Sequence, residues 1–328
     1  MFFVKKKKTV ALSLGGGGAR GYAHIGVIRE LEARGYEITA VAGTSMGAVI
    51  GALYAAGKLA EFEKWARKLT PLDVLGLMDF SVGKAGAIRA ERILSVVDNM
   101  LAGVSIEDFS IPFTAIAADL LENKEVRFQS GSATLALRAS VAIPGVITPV
   151  LINGKLLADG GLVNPVPISP LIGAGAKHIV AVDLARGRMT NPFERQISEH
   201  FLSRAVKETV KATRDKAAEI SNKPGSRKIA KQLGVDTRIQ KVVSLPVETE
   251  LQKIINDVPK AITSADVMLM SIQTLQQRLT EVEFSKYRPD LVVGLPIDAC
   301  GVLEFHKAKQ MIRLGEKLAT QAMDLADW

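Results

Sequence analysis

The residues best suited to chemistry begin with a serine between glycines, Gly43-Thr44-Ser45-Met46-Gly47, directly after the apolar run Ile38 to Ala42. In G-x-S-x-G the flanking glycines, here Gly43 and Gly47, permit a sharp strand-to-helix turn that exposes a nucleophilic hydroxyl. The turn also sets Ser45 at a helix N-terminus, where amides and the helix dipole favour developing negative charge. By itself the pentapeptide serves equally well as a tight packing turn.

A second segment, Gly15-Gly16-Gly17-Gly18-Ala19-Arg20-Gly21, also follows an apolar run. Successive glycine amides can line a concavity for an anion with no side-chain bulk in the way. In acyl transfer that anion is the tetrahedral oxyanion, and Gly16, Gly17, Gly18 and Gly21 are the candidate residues. Arg20 either holds the loop or assists binding, unless it is a plain surface charge. The same glycines match G-x-G-x-x-G, the dinucleotide fingerprint, which wants an acidic residue at the end of the next strand. That strand ends instead in Gly-Thr-Ser, and Glu37 precedes it.

A serine nucleophile needs a base. None of the four histidines, His24, His178, His200 and His306, has the flanking chemistry of a triad member, and each reads as a structural or surface residue. Asp159-Gly160-Gly161 is the better candidate. A carboxylate at a strand end, followed by two glycines, can approach a serine closely and accept its proton if desolvation raises its pKa. Standing alone, Asp-Gly is an ordinary turn.

These segments need elements to position them. The periodicity predicts a strand over Thr9 to Leu14, a helix over Tyr22 to Arg34 capped by Gly35, a strand over Ile38 to Ala42 and a helix to about Ala56. This βαβα order implies a parallel sheet. Further strands are predicted over 112–120, 126–130, 178–184 and 289–295, with a helix over 133–141. Val150 to Asp159 carries apolar arms around Asn153-Gly154, a hairpin turn that delivers Asp159 at a strand end.

From about 190 to 265 the sequence becomes polar and basic, with Ile197, Phe201, Leu202, Val206 and Val210 in one helical stripe. The stretch 186–260 holds 16 Lys and Arg against 9 Asp and Glu, and Lys5 to Lys8 add four positive charges to a chain of net charge +8. Such a surplus suits an anionic surface, although a solvated helical face would look the same. With 328 residues, 48% of them hydrophobic, the chain can bury one large core, and a single domain over 1–328 with an insertion at 190–265 is expected. The one cysteine, Cys300, fits a reducing compartment, and no run has the length of a membrane-spanning helix. A cytoplasmic protein is expected, meeting lipid from the water side at the inner membrane face.

Glycine loop, serine elbow and Asp-Gly-Gly occur here in the order found in the patatin-like phospholipases. The chain resembles that family through Gly16-Gly-Gly-Ala-Arg-Gly21, Gly43-Thr-Ser-Met-Gly47 and Asp159-Gly-Gly161, with Ala139 to Gly145 and Asn164-Pro-Val-Pro167 as further family-like segments. It is close over residues 9–188 and resumes from about Met268, whereas 190–265 departs from the compact bacterial members. The resemblance implies a three-layer α/β/α fold with a mainly parallel sheet, and hydrolysis of acyl esters of glycerolipids or lysophospholipids. It implies a Ser45–Asp159 dyad and neither metal nor cofactor. The expected partners are a lipid or ester substrate and an anionic membrane, not nucleic acid. The insertion has three candidate roles: lid, membrane dock or homo-oligomer contact. Two rival readings, a catalytically weak lipid-binding scaffold and an acyltransferase, share the fold.

Overall fold

The computed structural model describes residues 8–77, 86–88, 91–188 and 264–328. Strand β1 (Lys8–Leu14) passes from an exposed start to complete burial, the pattern of a strand covered on both faces. A 3₁₀ turn (Gly18–Tyr22) leads into α1 (Ala23–Ala33), and Gly35, with φ +79°, turns the chain into β2 (Tyr36–Thr44). β2 outruns its predicted end by two residues because β1 and β4 (Phe113–Asp119) flank it in parallel on both sides. Helix α2 (Met46–Ala55) then packs across β1, β2 and β4.

Four elements between residues 59 and 101 carry no chemical motif: α3 (Leu59–Ala66), α4 (Pro71–Leu77), β3 (Gly86–Ile88) and α5 (Glu91–Leu101). After β4 come β5 (Lys124–Phe128), α6 (Ala133–Ser140) and β6 (Gly145–Ile147). The predicted hairpin follows as β7 (Val150–Ile152) and β8 (Lys155–Asp159). Its turn residues Asn153 and Gly154 both have positive φ, 50° and 78°, as a type I′ turn requires. Next come β9 (His178–Asp183), α7 (Ser264–Lys286), β10 (Leu291–Gly294) and α8 (Ala308–Leu325).

The sheet is mixed and mainly parallel: β10, β9, β1, β2 and β4 run parallel to one another in that order, and β5, β7 and β8 pair antiparallel. One register detail positions the site. β5 takes one edge of β4 over residues 115–119, so β2 and β8 must share the other. β2 ends there with Thr44 opposite Ile116, and β8 ends with Asp159 opposite Ala117. Since β2 is parallel and β8 antiparallel to β4, their C-terminal ends meet nose to nose.

Residues Met1–Arg195 and Val267–Trp328 form one unit, in which α8 returns to pack on α1. That crossing is close: a Cβ on Gly26 would stand 2.1 Å from the Ile312 carbonyl oxygen, and one on Gly315 2.1 Å from that of Ala23. Met311, Gly315, Ala319 and Met323, spaced by four, form the buried stripe of α8. The apolar stripe expected over 197–210, with nearly all of the basic stretch 190–265 around it, lies outside the described residues.

Candidate active site

Ser45 sits between β2 and α2 with φ 56° and ψ −126°, a conformation costly for a residue with a side chain. The surroundings enforce it. A Cβ on Gly43 would fall 2.4 Å from the Gly47 carbonyl oxygen, and one on Gly47 2.1 Å from that of Leu14, so no larger residue fits beside the serine. The Ser45 N–H, turned out of both flanking elements, donates to Ser140 Oγ at 2.8 Å. Thr44 Oγ1 donates to the Asn164 carbonyl at 2.7 Å, and the Asn164 N–H donates to the Gly160 carbonyl at 2.8 Å. Asn164 thereby ties the strand that leads to Ser45 to the turn after Asp159.

Asp159 is 4% exposed. Its N–H donates to the Ala142 carbonyl at 2.9 Å, and its Oδ1 accepts from the Gly161 N–H at 2.7 Å. Oδ2 is buried and has no fully formed hydrogen bond among the described residues. Burial raises the carboxyl to about 6, and the neighbouring Ser45 hydroxyl and then the Gly161 N–H hold it from rising further. A carboxylate poised near 6 is mostly ionised at neutral pH and still basic enough to take a proton in a transition state.

The glycine loop is anchored on several sides. The Gly15 and Gly16 amides donate to the carbonyls of Val182 and Pro165, both at 3.0 Å, and Ala19 N–H donates to that of Val302 at 2.8 Å. Gly16 therefore does not offer its amide to an anion; it provides closeness, since a Cβ there would lie 3.3 Å from Ser45 Cβ. The amides of Gly17 and Gly18 have no acceptor among the described residues, and Gly18 holds φ +56°. Arg20, 4% exposed, is no surface charge: its Nε donates to the Gly17 carbonyl at 3.1 Å and its Nη1 to that of Ile297. Holding the Gly17 carbonyl turns the other end of that planar peptide, the Gly18 N–H, the opposite way. Gly21 lets Met46 approach, for a Cβ there would meet Met46 Cγ at 2.2 Å.

Beside Ser45 opens an apolar cavity, in part open to solvent. Phe62, Trp65, Val74, Leu94, Val97 and Phe305 are among its walls, and its lining is apolar apart from the Ser45 and Tyr22 hydroxyls and the Trp65 indole. Most of these walls come from α3, α4, α5 and the segment 302–305. Sequence reading missed them, because apolar residues on short helices look like any core; Ser140 and the carbonyls of Ala142, Asn164 and Pro165 were visible only as family-like segments. His24 is fully buried with Nε2 2.8 Å from the Gly15 carbonyl, His178 stands 3.6 Å from Asp290, His306 lies in a short 3₁₀ turn, and His200 is outside the described residues. Among the described residues no group of three or more His, Cys, Asp or Glu is placed to hold a metal ion, and no helix is long and apolar enough to cross a membrane.

A mainly parallel α/β sheet on which a glycine loop, a serine elbow and an Asp-Gly-Gly turn converge defines a class of lipid acyl hydrolases. The chain belongs to the patatin-like phospholipase family: the model of that family matches residues 12–172. It is 41% identical to an uncharacterized NTE family protein of Mycobacterium bovis, over 96% of this chain and 91% of that one. It is similar to lysophospholipase NTE1 of Mycosarcoma maydis (33%, 56% of this chain, 10% of that protein) and to the neuropathy target esterase sws of Drosophila melanogaster (31%, 54% and 13%). Among solved structures, VipD from Legionella pneumophila aligns with a TM-score of 0.46 at 13% identity, over 97% of this chain and 77% of that one.

Proposed function

We propose that the protein hydrolyses carboxylic esters of lipids through an acyl-enzyme on Ser45, with Asp159 as the base. The observation that carries this reading is the meeting of two strand ends at β4, which sets a strained serine beside a buried carboxylate raised to about 6. Asp159 takes the hydroxyl proton as Ser45 Oγ attacks the ester carbonyl. The Gly17 and Gly18 amides hold the oxyanion, an interaction whose loss typically costs 10²–10³ in turnover. The proton then passes from Asp159 to the leaving alcohol as the C–O bond breaks. Water, deprotonated by the same carboxylate, releases the fatty acid and restores the serine.

The apolar cavity gives the acyl chain a dry site beside the nucleophile, and it supports glycerolipids with long acyl chains as substrates, phospholipids, lysophospholipids and acylglycerols alike. Among these, lysophospholipids are the class we favour, in line with the similarity to the lysophospholipase of Mycosarcoma maydis. The decisive experiment compares wild type, Ser45→Ala and Asp159→Asn on a nitrophenyl butyrate, with fluorophosphonate labelling and analysis of fatty acid released from lysophosphatidylcholine. Turnover and labelling confined to wild type are expected. Wild-type turnover by either variant overturns the dyad, and an acyl product on an added alcohol in place of free fatty acid makes the protein a transferase.

A further inference from the structure

His24 has no place in the mechanism above, yet it is one of the few fully buried polar side chains and touches the loop that the mechanism depends on. Its partner is a carbonyl oxygen, which can only accept, so Nε2 carries the proton and the ring is the Nε2–H tautomer. Nδ1 is buried with no hydrogen-bond partner among the described residues, so no relay joins the ring to Ser45 or Asp159. Burial lowers the ring to about 4, which keeps it neutral wherever Asp159 is ionised.

The geometry points to His24 as a positioning residue of the oxyanion hole: it fixes the Gly15–Gly16 peptide, which sets the start of the two following peptides, whose Gly17 and Gly18 amides have no acceptor among the described residues. The inference rests on the dyad reading. A peptide is planar, so holding the Gly15 carbonyl at 2.8 Å directs the Gly16 N–H the opposite way, where it meets the Pro165 carbonyl at 3.0 Å. This peptide is the seam between loop and elbow. A Cβ on Gly47 would stand 2.7 Å from the Gly15 carbonyl oxygen, and one on Gly16 3.3 Å from Ser45 Cβ. His24 and Arg20 therefore clamp alternate peptides, and the peptide between them is left to present the Gly17 amide. Without the imidazole, the Gly15 carbonyl is buried with no side-chain donor, and the peptide can rotate out of register with the serine.

The test uses the full chain with His24→Leu, which removes the donor, and His24→Gln, whose Nε2 reaches about as far as the imidazole Nε2. On nitrophenyl butyrate His24→Leu is expected to lose about 10–100-fold in kcat, by analogy with lost oxyanion donors, with KM within about twofold. The inflection near pH 6 should persist, and His24→Gln should recover most of the loss. In wild type, ¹⁵N NMR of the histidine ring should show the Nε2–H tautomer unchanged between pH 5.5 and 9. Wild-type kcat in His24→Leu, or the Nδ1–H tautomer, overturns the inference; loss of the pH 6 inflection would make His24 the base and overturns it equally. If His24→Leu does not fold, His24→Gln and the tautomer decide. Inert Ser45→Ala and Asp159→Asn beside a fully active His24→Leu refute this inference alone, whereas active dyad variants refute the reading beneath it.

Discussion

Asp159 pairs with Ala117 one position beyond the Thr44–Ile116 pair, so the carboxylate stands on β4 at the point where β2 gives way to Ser45. The proposed dyad is thus a consequence of strand register. A slip of one residue in β8 would turn Asp159 to the other face of the sheet. Both partners are also tied to the short stretch 140–142, Ser45 through Ser140 Oγ and Asp159 through the Ala142 carbonyl.

Because Asp159 must be ionised to accept a proton, kcat/KM is expected to fall as pH drops through about 6 and to level off above it. A pH–rate profile on a soluble ester reads this directly. An inflection near 4, the ordinary aspartate range, would mean that burial does not tune the base.

The same shift has a stability consequence of opposite sign. The folded carboxyl titrates at about 6 against an ordinary 3.8, so its contribution to stability is fully present below 3.8 and lost as pH rises through 6. At 1.36 kcal/mol per pKa unit the loss is at most about 3 kcal/mol. Asp159→Asn keeps an oxygen for the Gly161 N–H and abolishes the ionisation. It should melt above wild type at pH 8, by an amount worth about 1–3 kcal/mol, and the advantage should vanish at pH 4. An equal difference at both values would separate the effect from ionisation.

Ser140→Ala leaves the Ser45 N–H buried without its acceptor, a loss of about 1–3 kcal/mol, at a residue whose backbone is strained. Turnover should drop about 10–100-fold with KM little changed, since the cavity is untouched; steady-state kinetics on nitrophenyl butyrate separate the two. A rise in KM with unchanged kcat would place Ser140 in binding instead.

Ile93, half-buried in α5, lines the cavity and can be enlarged without rebuilding the core. Ile93→Trp should shorten the acyl site, lowering kcat/KM for dodecanoyl or longer esters about tenfold or more, a factor of ten being about 1.4 kcal/mol. The butyrate ester should be spared. Equal losses on short and long esters would show that the chain does not lie along this wall.

The charge surplus in 186–260 is a separate matter, since most of it lies outside the described residues. Deleting 195–260 is expected to weaken binding to anionic liposomes more than it alters turnover of a soluble ester, and added salt should weaken the wild-type interaction in the same direction. Liposome binding equal to that of the intact chain rejects a membrane role for this stretch.

The alternation of apolar runs, the Asn153-Gly154 turn and the glycines around Ser45 are local signals, and local backbone preference is enough to specify the elements they mark. From them the strands of the eight-stranded sheet, the elbow and the position of Asp159 at a strand end were legible in the sequence, whereas the short pair β3 and β6 was not. Which strand ends meet was not, because the register of β2 and β8 along β4 depends on pairings between residues 38 to 72 apart. The same holds for the Gly16 amide, which looks as free as its neighbours until Pro165 is folded against it, for Arg20, which sequence leaves between loop holder, binding group and surface charge, and for His24, which reads as a structural or surface residue. The apolar cavity is the extreme case: Phe62, Val97 and Phe305 are ordinary core residues in sequence, and only packing decides that the space between them stays open beside Ser45. Sequence determines which residues can do chemistry because chemistry belongs to residue types. Tertiary structure decides which of them do it, because desolvation, register and the direction of a peptide plane belong to no residue alone.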